Sequence, residues 1–221
     1  DVSLDLSTNA VLNLNGTWVN AAGINTTNAT LNLGGSFNLP ALGTINRTGG
    51  RVNLTGTLDA AGGTLSLNAA SGSWWMNGGT LRNAVLNETD GAMLIFTTGT
   101  LDGVTVNGDL DVGRQDNGAV LFARNGLVLN GTLHLGNPTN SWWGQVGFVG
   151  TQTFSGIGTV ILGNQGNCNA VRVDTAGTTL TLGPGITIRG HSGQIGQSTS
   201  CIGTPANVTV INQGLISADV S

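Results

Sequence analysis

Asp102, Asp109, Asp111 and Asp116 lie close together around Arg114, the densest group of chemistry-bearing side chains in the 221-residue chain. Hydrolysis of a glycosidic bond needs two carboxylates at a set separation, one as acid and one as base or nucleophile. In Asp109-Leu110-Asp111-Val112, strand alternation puts both aspartates on one side and the apolar pair on the other. Two carboxylates beside an arginine suit a cation or sugar hydroxyls. The same pattern also reads as a solvated strand face followed by a Gly/Asp turn. His191 reads as a loop residue, and His134, between Leu133 and Leu135, as pointing outward from a strand. No Gly-x-Ser-x-Gly elbow, HExxH or phosphate-cradling GxxxxGK[ST] occurs. No catalytic residue is therefore assigned, and the chain is read as non-enzymatic. Two cysteines and two histidines without zinc spacing, and no calcium nonapeptide, imply neither a metal nor a cofactor.

The aromatic residues make a second candidate. The chain has five tryptophans and no tyrosine, and Ser-Trp-Trp occurs at 73–75 and again at 141–143. Parity pairs Trp74 with Met76, and Trp142 with Val146 and Phe148. Trp74 and Trp142 are thus expected inside, with Trp75 and Trp143 outward. Three coils of a stacked structure would set the outward pair ~14–15 Å apart on one flank. At that spacing Trp75 and Trp143 suit carbohydrate stacking; the alternative is that both fold onto loops or a neighbouring coil. Cys168 and Cys201 are 33 residues apart, a spacing compatible with a disulfide between neighbouring coils or with two separate thiols.

The elements that must position these residues are short strands. Gly (37), Thr (29) and Asn (25) abound, charged residues make up 8%, and Glu88 is the only glutamate, so helices are disfavoured. Segments such as VLNLNG (11–16), TLNLGG (30–35), RVNLTG (51–56) and LVLNGTLHLG (127–136) alternate apolar and polar residues between Gly or Asn. Leu31/Leu33, Val52/Leu54 and Trp74/Met76 repeat at 21 and 22 residues; Gly-Thr-Leu recurs at 56, 79, 99 and 131. This spacing predicts an all-β fold: a right-handed parallel β-helix of about ten coils of roughly 20–23 residues, forming one solenoid over 1–221. Asp-Val-Ser at both ends and the lack of capping elements read as a segment of a longer array, with end-to-end self-association as a corollary. A net charge of −4 and seven scattered arginines provide no stripe for phosphates, so no nucleic-acid partner is expected. No apolar run approaches the ~20 residues of a membrane-spanning helix.

The segments GTLDGVTVNGDLDVG (99–113), GTQTFSGIGTVILG (150–163) and TTLTLGPGITIRGHSGQIG (178–196) resemble those of very large, glycine-rich β-strand-repeat surface proteins of bacteria. These broadly resemble filamentous-haemagglutinin-type and autotransporter-passenger β-helices. The resemblance implies a structural or adhesive segment of a secreted or cell-surface protein, forming a stiff rod or filament in an extracellular setting. It implies no functional residues. Two alternatives remain. One is a polysaccharide-binding or polysaccharide-cleaving β-helix, although Gly190-His191-Ser192 lacks the companion motifs of polygalacturonases. The other is an ice-binding solenoid, for which Thr55/Thr57, Thr98/Thr100, Thr151/Thr153 and Thr179/Thr181 are too irregularly spaced. Eight Asn-x-Thr sequons slightly exceed what composition alone would give.

Overall fold

The computed structural model describes residues 3–164 and 168–219. The chain winds into a right-handed parallel β-solenoid of about nine turns, with three strand-bearing faces and almost no helix. On the first face, Val11–Leu14, Thr30–Leu33, Arg51–Leu54 and the start of Trp74–Glu88 stack in parallel. The stack continues through Leu94–Asn107, Leu110–Val112, Thr132–Leu135, Thr159–Leu162, Thr187–Gly190 and Leu215–Ser217. The second face carries Ser36–Asn38 and Thr57–Asp59, and later Gly144–Phe148 and Ala170–Val173. The third runs from Thr64–Leu67 to Thr209–Asn212. Its first three strands, Leu4–Leu6, Ile24–Thr27 and Ile45–Thr48, form a separate sheet. Arg47 bridges that break: its backbone N–H donates to the Ala70 carbonyl and its Nε to the Ser71 carbonyl.

Coil length departs from the uniform 20–23 residues. Successive stacked positions Leu94 and Leu110 are 16 residues apart, whereas Val160 and Ile188 are 28 apart. From Thr132 onward no strand exceeds five residues, so the extra residues of the later coils enter corner loops. The loops at 113–118, 136–143 and 197–208 lie outside the strands. Inserting residues within a strand would reverse every side chain beyond the insertion, whereas a corner absorbs them without loss of register.

The interior is a set of stacked apolar columns. Leu31, Val52, Trp74, Leu94, Leu110 and Leu133 succeed one another on the first face, all buried. On the second face Ala123 stacks beneath Phe148, and the small residue leaves room for the large one. Phe148 in turn packs against Phe154 at 5.1 Å between ring centroids. The one helical turn among the described residues, Leu39–Leu42, is capped by the Asn38 side chain accepting from the Ala41 N–H. Asn83, Gly103 and Asn125, all with positive φ, turn the chain between the second and third faces.

Gly144 shows how closely the coils approach. A Cβ there would collide with the Val112 carbonyl, whereas nothing lies within 4 Å of a Cβ at Gly203. We expect Gly144→Ala to destabilise the fold by ~1–3 kcal/mol and Gly203→Ala to shift it by less than ~0.5 kcal/mol. Denaturant titration of both variants checks this, and equal losses would contradict the packing described.

Candidate functional site

The four aspartates do not form one catalytic cluster. Asp102 lies on the second face, where its Oδ1 accepts from Asn125 Nδ2 at 2.5 Å. Asp109 accepts the Thr132 backbone N–H at 2.7 Å, which clips one coil to the next. Asp111 is almost completely buried, unlike a residue of a solvated strand face. Its carboxylate accepts the N–H groups of Arg114 and Gln115 and the Gln115 side-chain amide, holding the 113–115 turn down over the first face. Asp116 accepts from the Thr97 hydroxyl. Each of the four carboxylates accepts a hydrogen bond that holds a turn or a neighbouring coil.

The tryptophans divide differently from the parity expectation. Trp74 is buried, and Trp75 projects outward and is half-buried. The Arg51 guanidinium lies 3.7 Å from the Trp75 ring centroid, covering one face of the indole. Arg51 Nε also donates to Asn53 Oδ1, at the end of a side-chain ladder from Asn53 to Asn32 to Asn13. Trp75 occupies the next position of that column. Trp142, expected inside, is 37% exposed, and it is Trp143 that is half-buried. The reason is local: the strand begins at Gly144, so the alternation that buries Val146 and Phe148 does not reach back to Trp142 in the corner loop. Trp143 lies against the Gly118 turn, where a Cβ would come within 3.2 Å of its ring. Trp75 and Trp143 sit three rungs apart, and the 113–118 loop lies between them, joined through Asp116 to Thr97 and through Asn117 to the Trp143 N–H.

A third feature was only partly foreshadowed by the cysteines. Cys168 and Cys201 are bonded, with Cα atoms 5.5 Å apart. The bridge ties the 197–208 loop to the outer side of the second face, where Gln145 donates to the Cys168 and Ser200 carbonyls. Arg172 is 2% exposed there and pairs with Asp174 at 3.3 Å. Gly147 permits this, because a Cβ there would strike the Asp174 carboxylate. Burial lowers the Arg172 pKa, partly offset by Asp174, and raises that of Asp174, partly offset by Arg172. Val171-Arg172-Val173 alternates like a half-solvated strand, but the strand is buried on both sides, so sequence alternation gave no sign of the burial of Arg172.

Other concavities carry polar groups. A groove of about 490 Å³ is lined by Trp18, Asn38, Pro40, Asp59 and Arg82, with Arg82 and Asp59 paired at 2.7 Å. Threonines stack only in short runs, such as Thr57, Thr80 and Thr100, beside the charged column Asp59, Arg82, Asp102 and Arg124. That face is not the uniform hydroxyl lattice an ice-binding plane would need. His134 projects outward from its strand and His191 lies in an exposed bend. Burial, with help from Arg114, lowers the His134 pKa. Among the described residues no three His, Cys, Asp or Glu side chains are grouped for a metal, and no helix is long and apolar enough to cross a membrane.

No protein-family model, curated protein or solved structure matches this chain. Its functional reading therefore rests on the geometry of its own side chains.

Glu88 supplies a pH-dependent element. Its two oxygens accept the Leu94 and Asp109 N–H groups, both at 2.7 Å, and burial raises its pKa to about 7 despite those bonds. A carboxyl whose pKa is raised on folding binds more protons in the native state between its ordinary value and about 7. Its stabilising contribution is thus complete at low pH and lost as pH rises through about 7. We expect Glu88→Gln to flatten the fall in thermal midpoint between pH 5 and pH 8 relative to the parent, whatever its absolute stability. Parallel profiles for the two proteins would show that Glu88 does not carry this dependence.

Proposed function

We propose that this chain is a rigid display segment: a structural and adhesive rod within a large secreted or cell-surface bacterial repeat protein, acting without catalysis. The observation that carries this reading is that outward polar side chains are used to bond one coil to the next. Asn13, Asn32 and Asn53 form one ladder; Asn87, Asn107 and Asn130 form another; Asp5, Asn25 and Asn46 form a third. Side chains committed in this way stiffen a rod and leave few polar groups free for turnover. The resemblance to bacterial β-strand-repeat proteins supports the same reading. So does the bridge between Cys168 and Cys201, which suits an oxidising, extracellular setting.

A second copy would stack end to end on the last described rung, where Ile216, aligned with buried Ile188, is 47% exposed. Asp1, Val2, Val220 and Ser221, which make up much of the Asp-Val-Ser match, lie outside the described residues. The mechanism is passive: the stacked coils fix the spacing of the corner loops, and these meet carbohydrate or other surface ligands.

Incubation with acidic and neutral polysaccharides tests the non-catalytic part of the reading. We expect no oligosaccharide to be released, with or without added divalent metal. Accumulating oligosaccharide would replace the display reading with that of a polysaccharide-cleaving β-helix.

A further inference from the structure

The corner between the first and second faces holds a partly exposed indole, that of Trp142, on a backbone that is fixed at several points. The backbone N–H of Trp142 donates to Asn140 Oδ1 at 2.9 Å, and its carbonyl accepts the Asn137 backbone N–H at 3.0 Å. Asn137 fastens the same loop twice more: its Oδ1 accepts from the Thr139 N–H and hydroxyl, and its Nδ2 donates to the Arg114 carbonyl. Trp143 closes the assembly, donating its N–H to Asn117 Oδ1 while its carbonyl accepts the Gly118 N–H. The loops 113–118 and 136–143 of successive coils are thereby locked into one surface.

Trp74, Phe96, Phe148 and Phe154 are fully buried and Trp75, Phe122 and Trp143 half-buried, so Trp142, at 37%, is more exposed than any of these and forgoes part of the stabilisation that burial gives elsewhere. Arg114, Gln115, Asn117 and Asn140, in the two loops joined at this corner, are all exposed. Trp75 lacks this freedom, because Arg51 already covers one face of its ring.

We propose that this corner binds a neutral, hexose-containing glycan, with the Trp142 indole stacked on the C–H face of a pyranose ring. The electron-rich face of an indole matches the weakly positive C–H bonds on the flat side of a hexose. Amide and guanidinium groups at the rim exchange hydrogen bonds with adjacent hydroxyls, as orientation in a carbohydrate site requires. The inference rests on the display reading and names its ligand; it moves the stacking role from Trp75 and Trp143 to Trp142, with Trp143 as its support.

The test is calorimetric titration of the full chain with short gluco-, manno- and galacto-oligosaccharides, read alongside tryptophan fluorescence. Trp142→Ala is expected to fold with an unchanged thermal midpoint, since the side chain lies outside the core, and to weaken binding by about tenfold or more. Trp75→Ala is expected to change affinity by less than about twofold, because that ring is already partnered by Arg51. Failure of the folded parent to bind any of these sugars would overturn the proposal, as would equal binding by Trp142→Ala. Neither result touches the rod reading, which cleavage of the sugars would overturn. Selective binding of an apolar peptide at Trp142, with no response to sugar, would likewise overturn it.

Discussion

Most described strands pair with the coil before them and the coil after them, so the register of one rung constrains its neighbours along the stack. Sliding a strand by one residue would turn its leucines outward and its asparagines inward, against neighbours that have not moved. The parallel backbone ladder is thus the constraint on which the rest of the structure depends. It explains why extra residues of the later coils enter corners, why Gly144 must lack a side chain against Val112, and why Asn83, Gly103 and Asn125 recur at one bend. It also confines variation to the loops, where the exposed tryptophan is found.

Side chains outside the core reinforce that register. Asparagine ladders place an amide oxygen of one coil against an amide N–H of the next, a match that only one alignment satisfies. Asp59, Arg82, Asp102 and Arg124 add a column of alternating charge, in which neighbours attract in register and a one-rung shift would oppose like charges. At the later coils the reinforcement changes character. The disulfide-anchored loop and the buried Arg172–Asp174 pair cover the second face instead of leaving it to solvent. In a chain-entropy account a bridge spanning 33 residues contributes ~3–4 kcal/mol.

Much of the architecture was legible because a parallel stack writes its period into the sequence. Leu31, Val52 and Trp74, aligned by their spacing alone, do stack on one another. Leu58, Leu81 and Leu101 of the first three Gly-Thr-Leu repeats stack likewise, whereas Leu133 of the fourth lies on a different face and pairs with Leu110. The candidate site was less legible, because parity holds only within a strand. Trp142 lies two residues before its strand begins, and nothing in the string of letters marks that boundary. Asp111 and Arg172 alternate correctly yet are buried, since later loops fold over the outer face. Coverage of that kind depends on contacts between coils, which strand periodicity does not encode.

Stacking in register along the rod is most directly measured as a distance. Asn32 and Arg189 belong to one outward column that runs through Asn53, Trp75, Ile95, Asp111, His134 and Ile161. Nitroxide labels at these two positions, read by pulsed electron spin resonance, should give a single distribution centred near ~34 Å, seven rungs of ~4.8 Å. A distance below ~20 Å, of the kind expected if the strands folded back on one another in a sandwich, would contradict the account.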